Sequence, residues 1–260
     1  MKRDTLIGTI AILIIIVGLT FYFVTKSQST KTPTIPPAST ADSLPAGGYT
    51  EHTKYYDSAV NYATSTPLLS SVGASADAQA VAVMQKFASD TVAQFKIDGN
   101  FANLTANDTK MMGFDQGRKE TLKIVYLIAS SPHTVSYIYT IYEDTLGAHG
   151  NIFFKTFTFD TSTGAPLALA DIFTSGSSYL DLLSKISRAK LPSVIGKNAD
   201  TLFITNGTAP EDKNFANFFF DNHDLVILFA PYAVAPYSSG PQTLRIPFTA
   251  FSSILKPEYR

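Results

Sequence analysis

The run from Leu6 to Val24, 19 residues without a charge, divides the chain before anything can be said of its fold. As a helix it would be about 28 Å long, close to the thickness of a bilayer's hydrocarbon core. Lys2 and Arg3 precede it, while Lys26 and Lys31 follow, a modest bias toward a cytoplasmic N-terminus and an exported remainder. Phe21, Tyr22 and Phe23 crowd the place where a cleaved signal needs small residues. Residues 1–25 are therefore expected to stay as a single-pass membrane anchor. Residues 26–48 turn to Ser, Thr, Ala and Lys, with Pro33, Pro36, Pro37 and Pro45. Such a segment cannot bury enough apolar surface to fold, and reads as a flexible tether.

About 210 residues are left to build a core, enough for one or two small domains. With 20 basic and 21 acidic residues there is no general attraction to nucleic acid, and no basic cluster supplies a local one. The absence of cysteine excludes a disulfide framework, a thiolate metal site and a cysteine nucleophile. Stability must come from packing, for which 19 Phe and 13 Tyr are available.

The pattern of the remainder predicts an α+β fold of antiparallel sheets with two main helices. The folded part begins near Tyr49, where Tyr55, Tyr56, Val60 and Tyr62 suggest a first extended segment ahead of Pro67. Ala80, Met84, Phe87, Thr91 and Phe95 then fall at helical spacing, with Ser75 placed to cap the helix and Gly99 to end it. Leu122 to Ile128 and Val135 to Ile141 alternate as two strands of a hairpin. A second helix is expected from Ser177 to Leu191, stopped by Pro192, followed by a short strand near Leu202 to Thr205. Phe218 to Phe220 and the uninterrupted apolar run Leu225 to Phe229 read as strands around a turn at Asp221 to Asp224.

Two blocks carry family resemblance. Tyr232-Ala-Val-Ala-Pro-Tyr237, then Gly240-Pro241 and Ile246-Pro247-Phe248, resemble the RsiV-like extracellular domain of a bacterial lysozyme-sensing anti-sigma factor. Gly147, Ala148 and His149, then Phe159 and Asp160, Thr163 and Gly164, and Leu169 to Phe173 resemble the junction at which a PdaC-type domain precedes it. The PdaC-type domain takes its name from the accessory region of a peptidoglycan deacetylase. Leu146 stands where that family has glycine, which argues against an unusual backbone angle there. The resemblances imply a PdaC-like domain over residues 49–160 and an RsiV-like domain over 161–260.

Catalytic motifs are missing. His52, His133, His149 and His223 are scattered, no paired-histidine spacing offers a metal site, and neither a nucleophile elbow nor a phosphate-binding glycine loop is present. The metal motifs of a polysaccharide deacetylase are absent too, so the resemblance implies no deacetylase activity. No cofactor is expected. The candidate binding residues are His149, Tyr232, Tyr237, Ser238, Ser239 and Gly240. His149 has room either to meet a ligand or to bond the backbone. Tyr232 and Tyr237 either form an exposed recognition patch or bury their rings to pin a turn.

The expected function is that of a membrane-tethered extracytoplasmic binding module for a cell-envelope ligand. The resemblance implies peptidoglycan or a secreted protein such as a lysozyme-type muramidase as that ligand. Met1 to Asp4 leave no room for a sigma-binding segment, so the module is not expected to be an anti-sigma factor itself. The alternatives are an enzyme acting on wall polysaccharide through acids such as Glu143, Asp144, Asp221 or Asp224, and a structural subunit of an envelope complex.

Overall fold

The computed structural model describes residues 46–66 and 74–259. The expected anchor, residues 6–24, and most of the tether lie outside them. Among the described residues no helix is long and apolar enough to cross a membrane.

Strands β1 (Ala46–His52) and β2 (Tyr56–Ala63) form an antiparallel hairpin. Its turn is tied by Thr53, whose Oγ1 accepts from the amides of Tyr55 and Tyr56. The extended segment expected from Tyr55 to Tyr62 is β2; β1 before it was not expected, and it takes in Ala46 to Gly48, which composition had assigned to the tether. Glycine suits that register: a Cβ on Gly47 would lie 2.4 Å from the Tyr62 ring.

Helix α1 (Ala74–Asp98) buries Ala80, Met84, Ala88, Val92 and Phe95, a single stripe at helical spacing. It starts at Ala74, so Ser75 sits in its first turn and not at its cap. The Gly99 amide reaches back to the Phe95 carbonyl at 3.0 Å to close its end. Because α1 carries the chain back along the sheet face, β3 (Glu120–Ser130) enters parallel to β2. The sheet is therefore mixed, not antiparallel throughout as its short turns had implied. A short helix α2 (Ala106–Met111), capped by Thr105, fills the approach to β3. Beyond β3 the chain runs up and down through β4 (Thr134–Asp144) and β5 (Asn151–Asp160), giving the order β1-β2-β3-β4-β5.

One face of this sheet packs on α1. Leu122, Ile124, Tyr137, Tyr139 and Phe159 meet Met84, Ala88 and Phe95, and Phe87 sets its edge against Tyr139 and Phe157. Each such side chain contributes about 1.5–3 kcal/mol on burial.

The second half begins with α3 (Tyr179–Ile195) and α4 (Thr201–Gly207) and ends in an antiparallel sheet of β6 (Phe218–Asp221), β7 (Asp224–Phe229) and β8 (Gln242–Pro247). Two expectations fail here. Pro192 lies inside α3, which continues one turn and closes where the Gly196 amide bonds the Pro192 carbonyl. Leu202 to Thr205 is helical, because the Asp200 carboxylate accepts from the amides of Leu202 and Phe203 and starts a helix where the apolar residues had suggested a strand.

The apolar run in β7 is explained by what covers it. Leu225, Ile227 and Phe229 face the core formed with Leu183 and Leu191 of α3 and with Phe220 and Phe251. Val226 and Leu228 point the other way and, with Phe219, pack against Ala129 and Ile138 of the first sheet. With both faces buried, the alternation of a half-exposed strand vanishes. The contact between sheets is fixed by the Phe218 amide donating to Thr156 Oγ1 at 3.1 Å and the Asn222 amide to the Ser130 carbonyl at 3.1 Å.

Candidate functional site

The loop after β4 and the loop after β7 meet beside the start of β5. The His149 ring stacks on the Tyr237 ring with centroids 3.7 Å apart and planes 18° from parallel. Tyr232 closes the third side, 6.2 Å from His149 and 5.5 Å from Tyr237, tilted by 37° and 36°. The tilted contacts of Tyr232 are of the favoured aromatic kind, whereas the His149 and Tyr237 rings lie nearly face to face.

Hydrogen bonds set the orientation of the rings. The Gly150 carbonyl can only accept, so His149 Nδ1, 3.1 Å away, carries the proton, and Tyr237 Oη donates to the same carbonyl at 2.6 Å. His149 Nε2 is left to accept from Tyr232 Oη at 3.3 Å. Burial, with Tyr232 and Asp144 nearby, holds the Tyr237 phenol above its ordinary range. Tyr142 is raised likewise, by burial first and then by Asp144 and Tyr237. The Tyr142 ring lies against Gly150, where an added Cβ would sit 2.4 Å from its hydroxyl oxygen.

Both loops are held in uncommon backbone. Four described residues other than glycine have positive φ: Asn100, Leu146, Asn222 and Tyr232. The asparagines occupy turns that suit them. Leu146 (φ 60°) and Tyr232 (φ 70°) belong to the two loops of the aromatic cluster. The unusual angle that a leucine had argued against is therefore present, supported by the Leu146 amide donating to Asp144 Oδ1 at 2.9 Å.

His149, Tyr232 and Tyr237 thus come together: the Tyr237 hydroxyl is tied to the Gly150 carbonyl, while the Tyr232 ring is 53% exposed. Ser238, Ser239 and Gly240 continue from Tyr237 through a short 3-10 turn. Ser238 is exposed, whereas the carbonyls of Ser239 and Gly240 are occupied by Gln242 Nε2 at 2.8 and 3.2 Å. Sequence reasoning missed Tyr142, and it considered Asp144 only as a catalytic acid and not as a neighbour of the tyrosines. The glycine following His149 was the one available signal.

The acids considered for catalysis fall in separate places. Asp221 and Asp224 both receive Arg245 at the β6–β7 turn. Glu143 and Asp144 end β4, and as consecutive strand residues they point to opposite faces. The β6–β7 turn lies by Ser130, which pairs with Val135 near the start of β4. The strand rise places Glu143 roughly 25 Å away. Glu143 shares the face of Leu122 with buried Glu120. Among the described residues no group of three or more His, Asp or Glu side chains is placed to hold a metal ion.

Fold and site together define an α+β protein of two packed sheets with an aromatic corner exposed where two loops meet. Residues 170–249 match the family described as "Protein of unknown function (DUF3298)". Over 143 residues the chain is 32% identical to the peptidoglycan-N-acetylmuramic acid deacetylase PdaC of Bacillus subtilis (strain 168), a match covering 55% of this chain and 31% of that protein. The chain thus spans about a third of that relative's length. A crystal structure of a DUF3298 family member from Bacteroides fragilis shares the fold, with a TM-score of 0.56 at 16% identity over 83% of this chain and 94% of that one. A DUF3298 protein from Pseudomonas aeruginosa gives 0.47 at 14% identity over 84% and 97%.

Proposed function

We propose that this chain is a membrane-tethered extracytoplasmic binding module that engages a cell-envelope ligand, either wall glycan or a secreted protein such as a lysozyme-type muramidase. The observation that carries the proposal is the corner of His149, Tyr232 and Tyr237, with Tyr232 half exposed. Tyrosine offers broad contact at low entropic cost, and two of the three rings here are already fixed by the Gly150 carbonyl. The likeness to a peptidoglycan deacetylase supports a cell-wall setting, and the resemblance of residues 161–260 to an RsiV-like domain supports capture of a secreted protein. The uncharged run at 6–24 supports anchoring.

The rival reading as a glycosidase needs two carboxylates roughly 5–9.5 Å apart across a bound sugar. Glu143 and Asp221 are too far apart for that, and Asp221 and Asp224 share one arginine. The test is a pull-down with the full chain, in nonionic detergent, against purified wall sacculi and against secreted proteins. Capture of either that is lost in a His149→Ala, Tyr232→Ala variant supports the module. Turnover of wall polymer by the pure protein, lost in Glu143→Gln, would replace it with the enzyme.

A further inference from the structure

Tyr232 occupies a position that turn chemistry assigns to another residue. The Ala233 amide donates to the Ala230 carbonyl at 3.0 Å, closing a four-residue turn with Pro231 second and Tyr232 third. Proline second and a positive φ third are the marks of a turn that takes glycine or asparagine at its third place. A bulky side chain there is a backbone outlier that persists only where the surrounding structure imposes it. The turn is held from below: a Cβ on Gly207, at the end of α4, would fall 1.8 Å from the Ala233 carbonyl oxygen. The strained ring is not kept for the core, since Tyr232 is 53% exposed.

The aromatic cluster that Tyr232 belongs to has a polar border. Tyr142 is 36% exposed and lies near Asp144 and Tyr237, Ser238 is exposed, and the Tyr232 hydroxyl points to His149 Nε2. An aromatic face bordered by hydroxyls and a carboxylate matches a pyranose, whose C–H face is weakly positive and packs on a π-cloud while its rim of hydroxyls seeks acceptors. A protein interface would add a fully buried, more apolar centre.

We infer that Tyr232 is the ligand-contacting residue of a saccharide platform, and that its left-handed backbone is retained to hold the ring over His149 and Tyr237 for a sugar ring of a wall glycan. This rests on the binding-module reading and names its ligand class.

The test uses the full chain in detergent, with the tetramer of N-acetylglucosamine and solubilised wall glycan as saccharide probes and a lysozyme-type muramidase as the protein probe. Tyr232→Asn keeps the turn and removes the ring. Its expected result is a Tm equal to the parent's or above it, by up to about 2–4 °C, with saccharide affinity reduced at least about tenfold. Tyr232→Phe should keep most of the affinity. Binding of the muramidase without either saccharide would overturn the ligand class and leave the module standing. Binding of none of the probes would count against both. Unchanged saccharide affinity in Tyr232→Asn, or a Tm that falls together with affinity, would overturn the role given to this ring.

Discussion

His149 and Tyr237, from loops on two different sheets, stack face to face at 3.7 Å and share one acceptor, the Gly150 carbonyl. Through this pair the loop after β4 and the loop after β7 act as one surface. Removing the Tyr237 hydroxyl should loosen that joint without dissolving it. Tyr237→Phe is expected to cost about 1 kcal/mol and to leave the stack in place. Thermal denaturation and the ring-current shift of the His149 protons by NMR would check both halves.

Gly207 should tolerate no side chain. A Cβ at this position would meet the backbone of Ala233, which cannot swing aside as a flexible side chain would. Gly207→Ala is expected to destabilise by about 1–3 kcal/mol, as overpacking does, and to weaken ligand binding by shifting Tyr232. A Tm unchanged within error would show that the turn is not seated on α4.

The two sheets should unfold together. Ala129 and Ile138 of the first meet Phe219, Val226 and Leu228 of the second, and Val226 is fully buried between them. Leu228→Ala is expected to cost about 2–5 kcal/mol while preserving one cooperative transition. Two calorimetric transitions, only one of them moved by the substitution, would contradict a shared core.

The contribution of Glu120 and Glu143 to stability should fall as pH rises out of the acid range, against the opposite contribution of Glu51, Asp57, Asp108 and Asp160, whose pKa values are lowered. Glu120 is 4% exposed and its Oε2 has no hydrogen-bond partner among the described residues. Burial first, then Glu143 and Asp144, raise its pKa above the ordinary glutamate value; burial and then Asp98 raise that of Glu143. A raised carboxyl binds more protons folded than unfolded. The stability it contributes is therefore complete below the unfolded pKa and is lost as pH rises through the folded one. Glu120→Gln should flatten this slope and raise Tm at neutral pH. Melting curves from about pH 4 to about pH 8 cover the window; a slope unaltered by the substitution would mean that Glu120 does not set it.

Much of the fold was legible because its signals are local. The α1 stripe, the β3–β4 hairpin and the β6–β7 turn each follow from periodicity and turn residues close together along the chain. What escaped depends on partners far along the chain. The parallel pairing of β2 with β3 is decided by where α1 returns the chain, and the strand at Ala46 to Gly48 by pairing with Asn61 to Ala63. Leu202 to Thr205 misled because its apolar residues suit either state and Asp200 chose the helix. At the corner, Tyr232 and Tyr237 stood out by their repeat within one loop and His149 by its small neighbours, Ala148 and Gly150. Tyr142 looked like an ordinary strand residue, and Asp144 only like a possible catalytic acid, until the two loops met.

Whether the aromatic corner binds wall glycan is decided by the affinity of the full chain for solubilised glycan, compared between the parent and a His149→Ala, Tyr232→Asn double variant that retains the parent's cooperative melting. Saturable binding by the parent and a loss of at least about tenfold in the variant are expected. Equal affinity in the two proteins would contradict a saccharide site at this corner.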